Sequence, residues 1–258
     1  MEAKERKEIQ EEQIIQVKNT KKINFQKPYK FIYTQWWFNL FGVPFCILVV
    51  ILSYLISFFF LGLKIVGRKK VRKLMRKNGC VLVSNHCHYF DTVYAGVHLW
   101  PKRVHISVAQ RNLEVPIVRT ILRLVYAFPI PSSATGLKMI TKSIGNILRK
   151  KQHVLFLPEG NLIHLNQTIY RFRLGAFQQS YIHQAPLIPM VYVLKRRSLF
   201  GNELPKNWVK MICIYGDPVM PAPIHEDDSV IKKGLRETAD QVADWMENTI
   251  QTYQACYK

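Results

Sequence analysis

The longest apolar stretch of the chain covers residues 31–63, where 33 consecutive positions carry no charged side chain. Its core, residues 45–63, is 19 residues long and is interrupted only by two serines, which is close to the minimum length for a helix that crosses a bilayer. Gly42 and Pro44 precede this core. A single span after this break and a hairpin of two short helices in one leaflet are therefore alternatives, and both predict a membrane-inserted helical segment.

Residues at both ends of this segment are typical of a membrane boundary. Trp36 and Trp37 lie near one end, and tryptophan is enriched where lipid meets water. At the other end, eight of the fourteen residues 64–77 are Lys or Arg and none is acidic. Such a cluster favours the cytoplasmic side and contact with anionic head groups. We therefore expect a membrane protein whose remaining domain faces the cytoplasm, rather than a buried core helix or a cleaved signal peptide.

Beyond residue 78, apolar runs of strand length alternate with helical patterns. Strands are predicted at residues 80–84, 104–108, 153–157, 187–194 and 209–215, and helices at residues 135–150 and 168–183. This alternation is typical of an α/β protein with a mostly parallel or mixed sheet flanked by helices. Apolar residues at helical spacing predict one more helix over about residues 229–253, which packs on the core.

Length and composition narrow the class of protein. The 258 residues suit a polar tail (1–30), a membrane segment (31–63) and one domain (64–258). Lys and Arg number 37 against 17 Asp and Glu, a net charge of +20, which indicates an anionic partner. No zinc-finger or recognition-helix signature is present, so an anionic membrane is favoured over nucleic acid. Five cysteines without paired spacing indicate a reducing compartment.

Candidate catalytic residues follow the predicted strand at residues 80–84. His86 and Asp91 are five positions apart, so their side chains can meet only if the chain turns between them. Asp91 with Thr92 is typical of a helix start, which predicts a strand-to-helix turn at this point. Asp91 would then accept a hydrogen bond from one imidazole nitrogen, and the other nitrogen would serve as a general base.

Three further motifs come after this pair, and the second strand-end loop carries a carboxylate like the first. Glu159 follows the predicted strand at residues 153–157, so we expect it in the same strand-end crevice as His86. In chain order the motifs are Asn85-His86 with Asp91, Pro158-Glu159-Gly160, Phe172-Arg173-Leu174-Gly175 and Pro186-Leu187-Ile188-Pro189. This order and spacing resembles the glycerolipid acyltransferases typified by bacterial 1-acylglycerol-3-phosphate acyltransferase, over about residues 70–215.

The resemblance implies a reaction and a set of residues. His86 would take the proton of an acceptor hydroxyl as its oxygen attacks an acyl thioester, and Asp91 would orient and stabilise the imidazole. The implied substrate-binding residues are Asn85, Glu159, Gly160, Arg173 and Arg111. The implied acceptor is a lysophospholipid, first of all 1-acylglycerol-3-phosphate in phospholipid synthesis. The donor is acyl-CoA or acyl carrier protein, and neither a metal nor another cofactor is expected.

Two departures from the family's pattern concern phosphate binding. Ser132 stands where the family usually carries an arginine, and Asn161-Leu162 replaces the Thr-Arg that commonly follows Pro-Glu-Gly. A guanidinium offers phosphate a planar, bidentate fork that these residues lack. An acyltransferase for another acceptor is therefore an alternative, unless other basic residues compensate; the candidates are Arg111, Lys138, Arg171 and Arg173.

Readings from other classes remain. His86, His88 and Asp91 partly match the His-x-His-x-Asp-His zinc motif of metallo-β-lactamase-like hydrolases, but the carboxylate is one position late and Thr92 replaces the last histidine. Cys87 could be a thiol nucleophile. The non-enzymatic alternative is a membrane lipid-binding protein. If His86 is the base, substitution of Cys87 or His88 should be mild.

Overall fold

The computed structural model describes residues 23–24, 29–33, 35–56, 62–99, 101–199, 202–203, 205 and 208–255. Most of the predicted polar tail, residues 1–30, lies outside the described residues, as do residues 57–61 of the predicted membrane segment.

Seven strands of the described chain form one mixed sheet in the order β1-β9-β6-β2-β5-β3-β4. They are β1 (Lys64–Val66), β2 (Val81–Ser84), β3 (Val104–Ala109), β4 (Ala127–Ile130), β5 (His153–Phe156), β6 (Leu187–Arg196) and β9 (Val209–Tyr215). Two short strands, β7 (Ser198–Leu199) and β8 (Asn202–Glu203), form a separate hairpin. Strands β2 to β6 are parallel to one another, β9 is antiparallel to β6, and β1 is parallel to β9. The predicted mixed α/β sheet is confirmed.

Helices cover both faces of this sheet. They are α1 (Trp36–Ile56), α2 (Arg68–Lys77), α3 (Asp91–Leu99), α4 (Pro116–Leu124), α5 (Ala134–Arg149), α6 (Gly175–Ile182) and α7 (Asp228–Ala255). Val81 and Val83 join the apolar cluster under α5, α6 and α7, whereas Leu82 joins the cluster under α2 and α3. This alternation follows from the period-two geometry of a strand, and it explains why Val81, Leu82 and Val83 are apolar at three successive positions.

Two predicted helices have different outcomes. The predicted C-terminal helix is present as α7, which buries Ala239, Val242, Met246 and Ile250 at helical spacing. The helix predicted over residues 168–183 begins only at Gly175. Residues 168–174 make other contacts instead of helical ones. Phe172 is buried, and Arg173 N–H donates to Pro158 O at 2.9 Å.

Helix α1 is long and apolar enough to cross a membrane, by length and composition. It runs without interruption through Gly42 and Pro44, so the break expected at these residues is absent. One face contacts the domain, where Cys46 Sγ donates to Leu124 O at 3.2 Å and Tyr126 Oη donates to Asn39 Oδ1 at 3.3 Å. Most of the remaining surface of the helix is exposed and apolar.

Candidate active site

Four residues singled out from the sequence follow strands that end on the same side of the sheet. Strands β2, β3, β4 and β5 are parallel, so their carboxyl ends lie on the same side. The residues that follow these ends are His86, Arg111, Ser132 and Glu159. In open α/β sheets this edge is where ligands bind, so the topology gathers most of the expected site.

His86 and Asp91 are in direct contact. His86 Nδ1 lies 2.9 Å from Asp91 Oδ2, and Asp91 begins helix α3, as the turn predicted between them requires. The Asp91 side chain is fully buried, whereas 19% of the His86 side chain is exposed. Because a carboxylate can only accept, Nδ1 carries the proton, and Nε2 of the neutral ring is left as the proton acceptor.

The same carboxylate oxygen shapes the loop around the histidine. Asp91 Oδ2 also accepts from the backbone N–H groups of Cys87 at 3.1 Å and His88 at 3.3 Å. The three donors on Oδ2 compensate for the lost hydration of this oxygen. Asp91 therefore fixes the backbone and the side chain of the His86 loop together.

Glu159 lies beside the pair, as expected, and it contacts the backbone of His86. The His86 N–H points at Glu159 Oε1 at 3.4 Å, and only 7% of Glu159 is exposed. This contact ties the loop after β5 to the loop after β2. Glu159 therefore holds the backbone of His86 in place and borders the candidate site.

Gly160 and Arg173 lie against one another. Gly160 has a φ of 79°, which favours glycine, and a Cβ built there would be 2.8 Å from Arg173 Cζ. The backbone contact from Arg173 to Pro158 holds the two segments together. The guanidinium is exposed, so it provides a positive charge on the loop that carries Glu159.

Asn85 is placed differently from the expectation that it binds substrate. It is buried, its Nδ2 donates to Tyr192 O at 3.0 Å, and its Oδ1 accepts from Tyr192 N–H at 2.8 Å. Gln167 continues this pattern, with Nε2 donating to Tyr192 O and Oε1 accepting from Leu194 N–H. The two side-chain amides bond to the backbone of β6 beyond the point where β2 ends. Asn85 therefore attaches the start of the His86 loop to β6.

His88 is a residue whose place the sequence did not indicate. It is buried, its Nδ1 accepts from Phe90 N–H at 3.3 Å, and its ring centroid lies 5.0 Å from that of His164. Burial, with a smaller contribution from His164, lowers the pKa of His88. A neutral His88 is also what the contact with Phe90 requires, because a protonated Nδ1 could not accept. His88 thus closes the turn that leads into Asp91.

Cys87 is also buried, and this argues against the hypothesis that its thiol is a nucleophile. Burial, and then the carboxylates of Asp91 and Glu159, raise the pKa of the Cys87 thiol well above its usual value. A thiol in this state is a poor nucleophile. In the part of the chain that the structure describes, no group of three or more His, Cys, Asp or Glu side chains is arranged to hold a metal ion.

Arg111 follows a strand that is two places away from the strand before His86, because β5 lies between β2 and β3. Arg111 is exposed in a short 3₁₀ turn, Gln110–Leu113, that follows β3. Ser132 is exposed after β4, and Leu162 is half-buried after Gly160. Arg173 contacts the Glu159 loop at Pro158 and Gly160.

The match to a family model agrees with the resemblance stated from the sequence. A family model described as Acyltransferase matches residues 63–193, just over half of the chain, and this range includes His86, Asp91, Glu159 and Arg173. No curated protein matches the chain significantly. Among solved structures, the chain is similar to the 1-acyl-sn-glycerophosphate (LPA) acyltransferase PlsC from Thermotoga maritima, with a TM-score of 0.48, 13% identity, and coverage of 81% of this chain and 78% of that one. On the family match, the chain belongs to the acyltransferase family.

Proposed function

We propose that this acyltransferase moves a fatty acyl group from an acyl thioester to the hydroxyl of a lysophospholipid at a membrane surface. The observation that carries the proposal is the pair of His86 and Asp91, with Nδ1 and Oδ2 at 2.9 Å and the ring still partly exposed. In a member of the acyltransferase family, such a pair supplies the base that an unactivated alcohol needs.

The proposed reaction requires no covalent enzyme intermediate. His86 Nε2 takes the proton of the acceptor hydroxyl while its oxygen forms a bond to the thioester carbon. The tetrahedral intermediate collapses, the carbon–sulfur bond breaks, and the leaving thiolate takes the proton back from the imidazolium. The Asp91 carboxylate stabilises the imidazolium between these steps. The buried thiol of Cys87 has no part in this sequence.

For the acceptor we propose 1-acylglycerol-3-phosphate. The support is the motif order together with Arg173, whose exposed guanidinium lies over Gly160 next to Glu159. A guanidinium in this place is suited to a phosphate. A second candidate, an acceptor without this phosphate, is favoured by Ser132 and Leu162, which stand where the family usually has arginines.

Membrane attachment is part of the proposal. Helix α1 exposes apolar side chains along most of its length. Helix α2 buries Val71 and Met75 and turns its basic side chains outward. This combination favours insertion of α1 and contact of α2 with anionic head groups, with the catalytic domain on the cytoplasmic side. Acyl-CoA and acyl carrier protein both remain as donors.

A substrate panel tests the proposal. The purified full chain is given acyl-CoA or acyl carrier protein thioester with lysolipids that differ in head group, and His86→Ala serves as the inactive control. Acylation of 1-acylglycerol-3-phosphate, weakened by Arg173→Ala through a higher KM, is the expected result. Transfer to a different lysolipid with no effect of Arg173→Ala would select the second candidate. Equal transfer by wild type and His86→Ala would reject the mechanism.

A further inference from the structure

Helix α4 exposes apolar side chains that lie together on one face. Ile117 is 76% exposed, Val118 39% and Ile121 46%, and the helix has no fully buried residue. Amphipathic helices of soluble domains normally turn such a face inward. Clustered exposed apolar side chains instead mark a surface that contacts a partner or a lipid.

The opposite face of α4 is basic and is attached to the domain. Arg119 and Arg123 lie one turn apart, on the side of the helix away from Ile117 and Ile121. Arg123 Nη2 donates to Tyr29 Oη at 3.1 Å, and its guanidinium lies 4.8 Å from the centre of the Tyr33 ring. These contacts hold α4 with its apolar face outward.

The end of α4 is joined to α1, the candidate membrane helix. Cys46 Sγ donates to Leu124 O, and Asn39 accepts from Tyr126 Oη just beyond the helix. On α1, apolar side chains away from this contact are exposed; they are Trp36, Trp37, Leu40, Phe41, Ile47, Leu48, Ile51, Leu52 and Leu55. The exposed apolar faces of α1 and α4 therefore belong to two helices that contact one another.

Helix α4 also begins on the side of the sheet that carries His86, which we call the catalytic edge. It follows the carboxyl end of β3 after the short turn Gln110–Leu113, and His86 follows the carboxyl end of the parallel strand β2. A lipid contact made by the first turns of α4 would thus be made from the edge of the sheet that carries His86.

We propose that Ile117, Val118 and Ile121 enter the same lipid leaflet as α1, which makes α4 a second membrane contact that holds the catalytic edge at the lipid surface. This inference rests on the proposed function, since an enzyme that acylates a lysolipid must bring its catalytic base to the acceptor at the lipid surface. A bilayer is the occupant favoured here because α4 contacts α1, the helix proposed to insert, and because the chain carries a net charge of +20, which attracts an anionic leaflet.

A pair of triple variants of the full chain tests the inference. The test variant carries Ile117→Glu, Val118→Glu and Ile121→Glu. The control carries Met220→Glu, Ile224→Glu and Val230→Glu, three exposed apolar residues near the start of β6, where Val219 bridges Leu187. Both variants add three negative charges. Flotation with phosphatidylcholine–phosphatidylglycerol vesicles should fall about tenfold or more for the test variant, and much less for the control.

Activity separates surface contact from chemistry. The test variant should lose activity on lysolipid embedded in vesicles and retain activity on a short-chain acceptor that stays monomeric in water. That retained activity also shows that the variant is folded. As a second measurement, an environment-sensitive dye attached at Ile117→Cys should shift to the blue on addition of vesicles, whereas the same dye at Ile224→Cys should not.

Three results would overturn the inference. One is equal flotation of the two triple variants, and another is a dye at position 117 that stays in water. The third is a wild-type protein that is dimeric and a test variant that is monomeric, with the same vesicle binding. In that case the apolar face of α4 would be covered by a second copy of the chain. Failure of wild type to acylate any acceptor, with flotation still dependent on position 117, would instead reject the proposed function alone.

Discussion

At the scale of single residues, the proposed chemistry depends on one imidazole paired with one buried carboxylate. His86→Ala should lower kcat by about two to four orders of magnitude because it removes the base. Asp91→Asn should also be severe, since it removes the charge that stabilises the imidazolium. Initial rates of acyl transfer check both, with Asp240→Asn, an exposed position on α7, as the control. Near-normal turnover by His86→Ala would contradict the mechanism.

His88 should matter more than the sequence suggested, because it closes the turn before Asp91. His88→Ala removes the acceptor for Phe90 N–H and should lower kcat by roughly tenfold to a hundredfold, as expected for a misplaced catalytic group, with little change in KM. His88→Asn should restore much of the loss, since an asparagine oxygen can accept from the N–H two residues on. Equal kcat values for the two variants would show that the Phe90 contact has no positioning role.

At the scale of elements, five strands could be predicted, whereas others, such as β4, could not. Strands β2 and β5 contain the apolar runs Val81–Val83 and Val154–Phe156, because both of their faces are covered. Strand β4 contains Pro129, which argues against a central strand. It is tolerated because β4 is the last strand of the sheet, where one side of the backbone needs no partner. Sequence patterns alone do not reveal which strand is the outermost strand of the sheet.

The supports of the candidate site were harder to predict than its central pair. The His86–Asp91 contact is local, since a strand-to-helix turn brings together residues five positions apart. Asn85 and Tyr192 are 107 positions apart, and Gln167 meets the same strand from a third segment. Such contacts are set by which strands are neighbours in the sheet, and no short motif carries that information. Asn85 therefore looked like a substrate ligand next to His86.

The loop after β5 offers a test of backbone geometry. Gly160→Ala places a Cβ at a φ of 79° and 2.8 Å from Arg173 Cζ, so it should cost about 1–2 kcal/mol of unfolding free energy and raise KM for a phosphate-bearing acceptor by moving the guanidinium. Gly234→Ala is the matched control, because a Cβ there meets nothing within 4 Å and helix α7 should gain up to about 1 kcal/mol. Urea unfolding and KM check both. A Gly160→Ala protein with wild-type stability and KM would contradict this account of the loop.

At the scale of the whole molecule, the fold separates chemistry, attachment and core. The carboxyl edge of the sheet carries His86 and Glu159, and α1 and α4 expose apolar surface at the side of the domain. Basic α2 packs on the same apolar cluster as α3, the helix that begins at Asp91. Helices α1 and α2, which we propose to meet lipid, are thus packed with α3, the helix that positions Asp91.

Two of the buried histidines, those whose pKa is lowered most, should make the stability of this domain depend on pH. His105 is 2% exposed and His153 is fully buried. Burial, as the main cause, lowers the pKa of each to about 4 from a usual 6.5. Between these values the unfolded chain binds protons that the folded chain does not. The contribution of each histidine to the unfolding free energy is therefore fully present above pH 6.5. It falls as the pH drops toward 4, by roughly 2 kcal/mol per histidine between pH 7 and pH 5.

Urea unfolding of the full chain in detergent at pH 7 and pH 5 measures this loss. His105→Gln removes one of the two titrating groups and should reduce the pH-dependent part of the unfolding free energy by about 2 kcal/mol, even if it lowers stability at both pH values. The exposed His225 gives the control, since His225→Gln changes a histidine that stays in water on folding. The same difference between pH 7 and pH 5 in wild type and His105→Gln would show that other groups set the acid sensitivity of the fold.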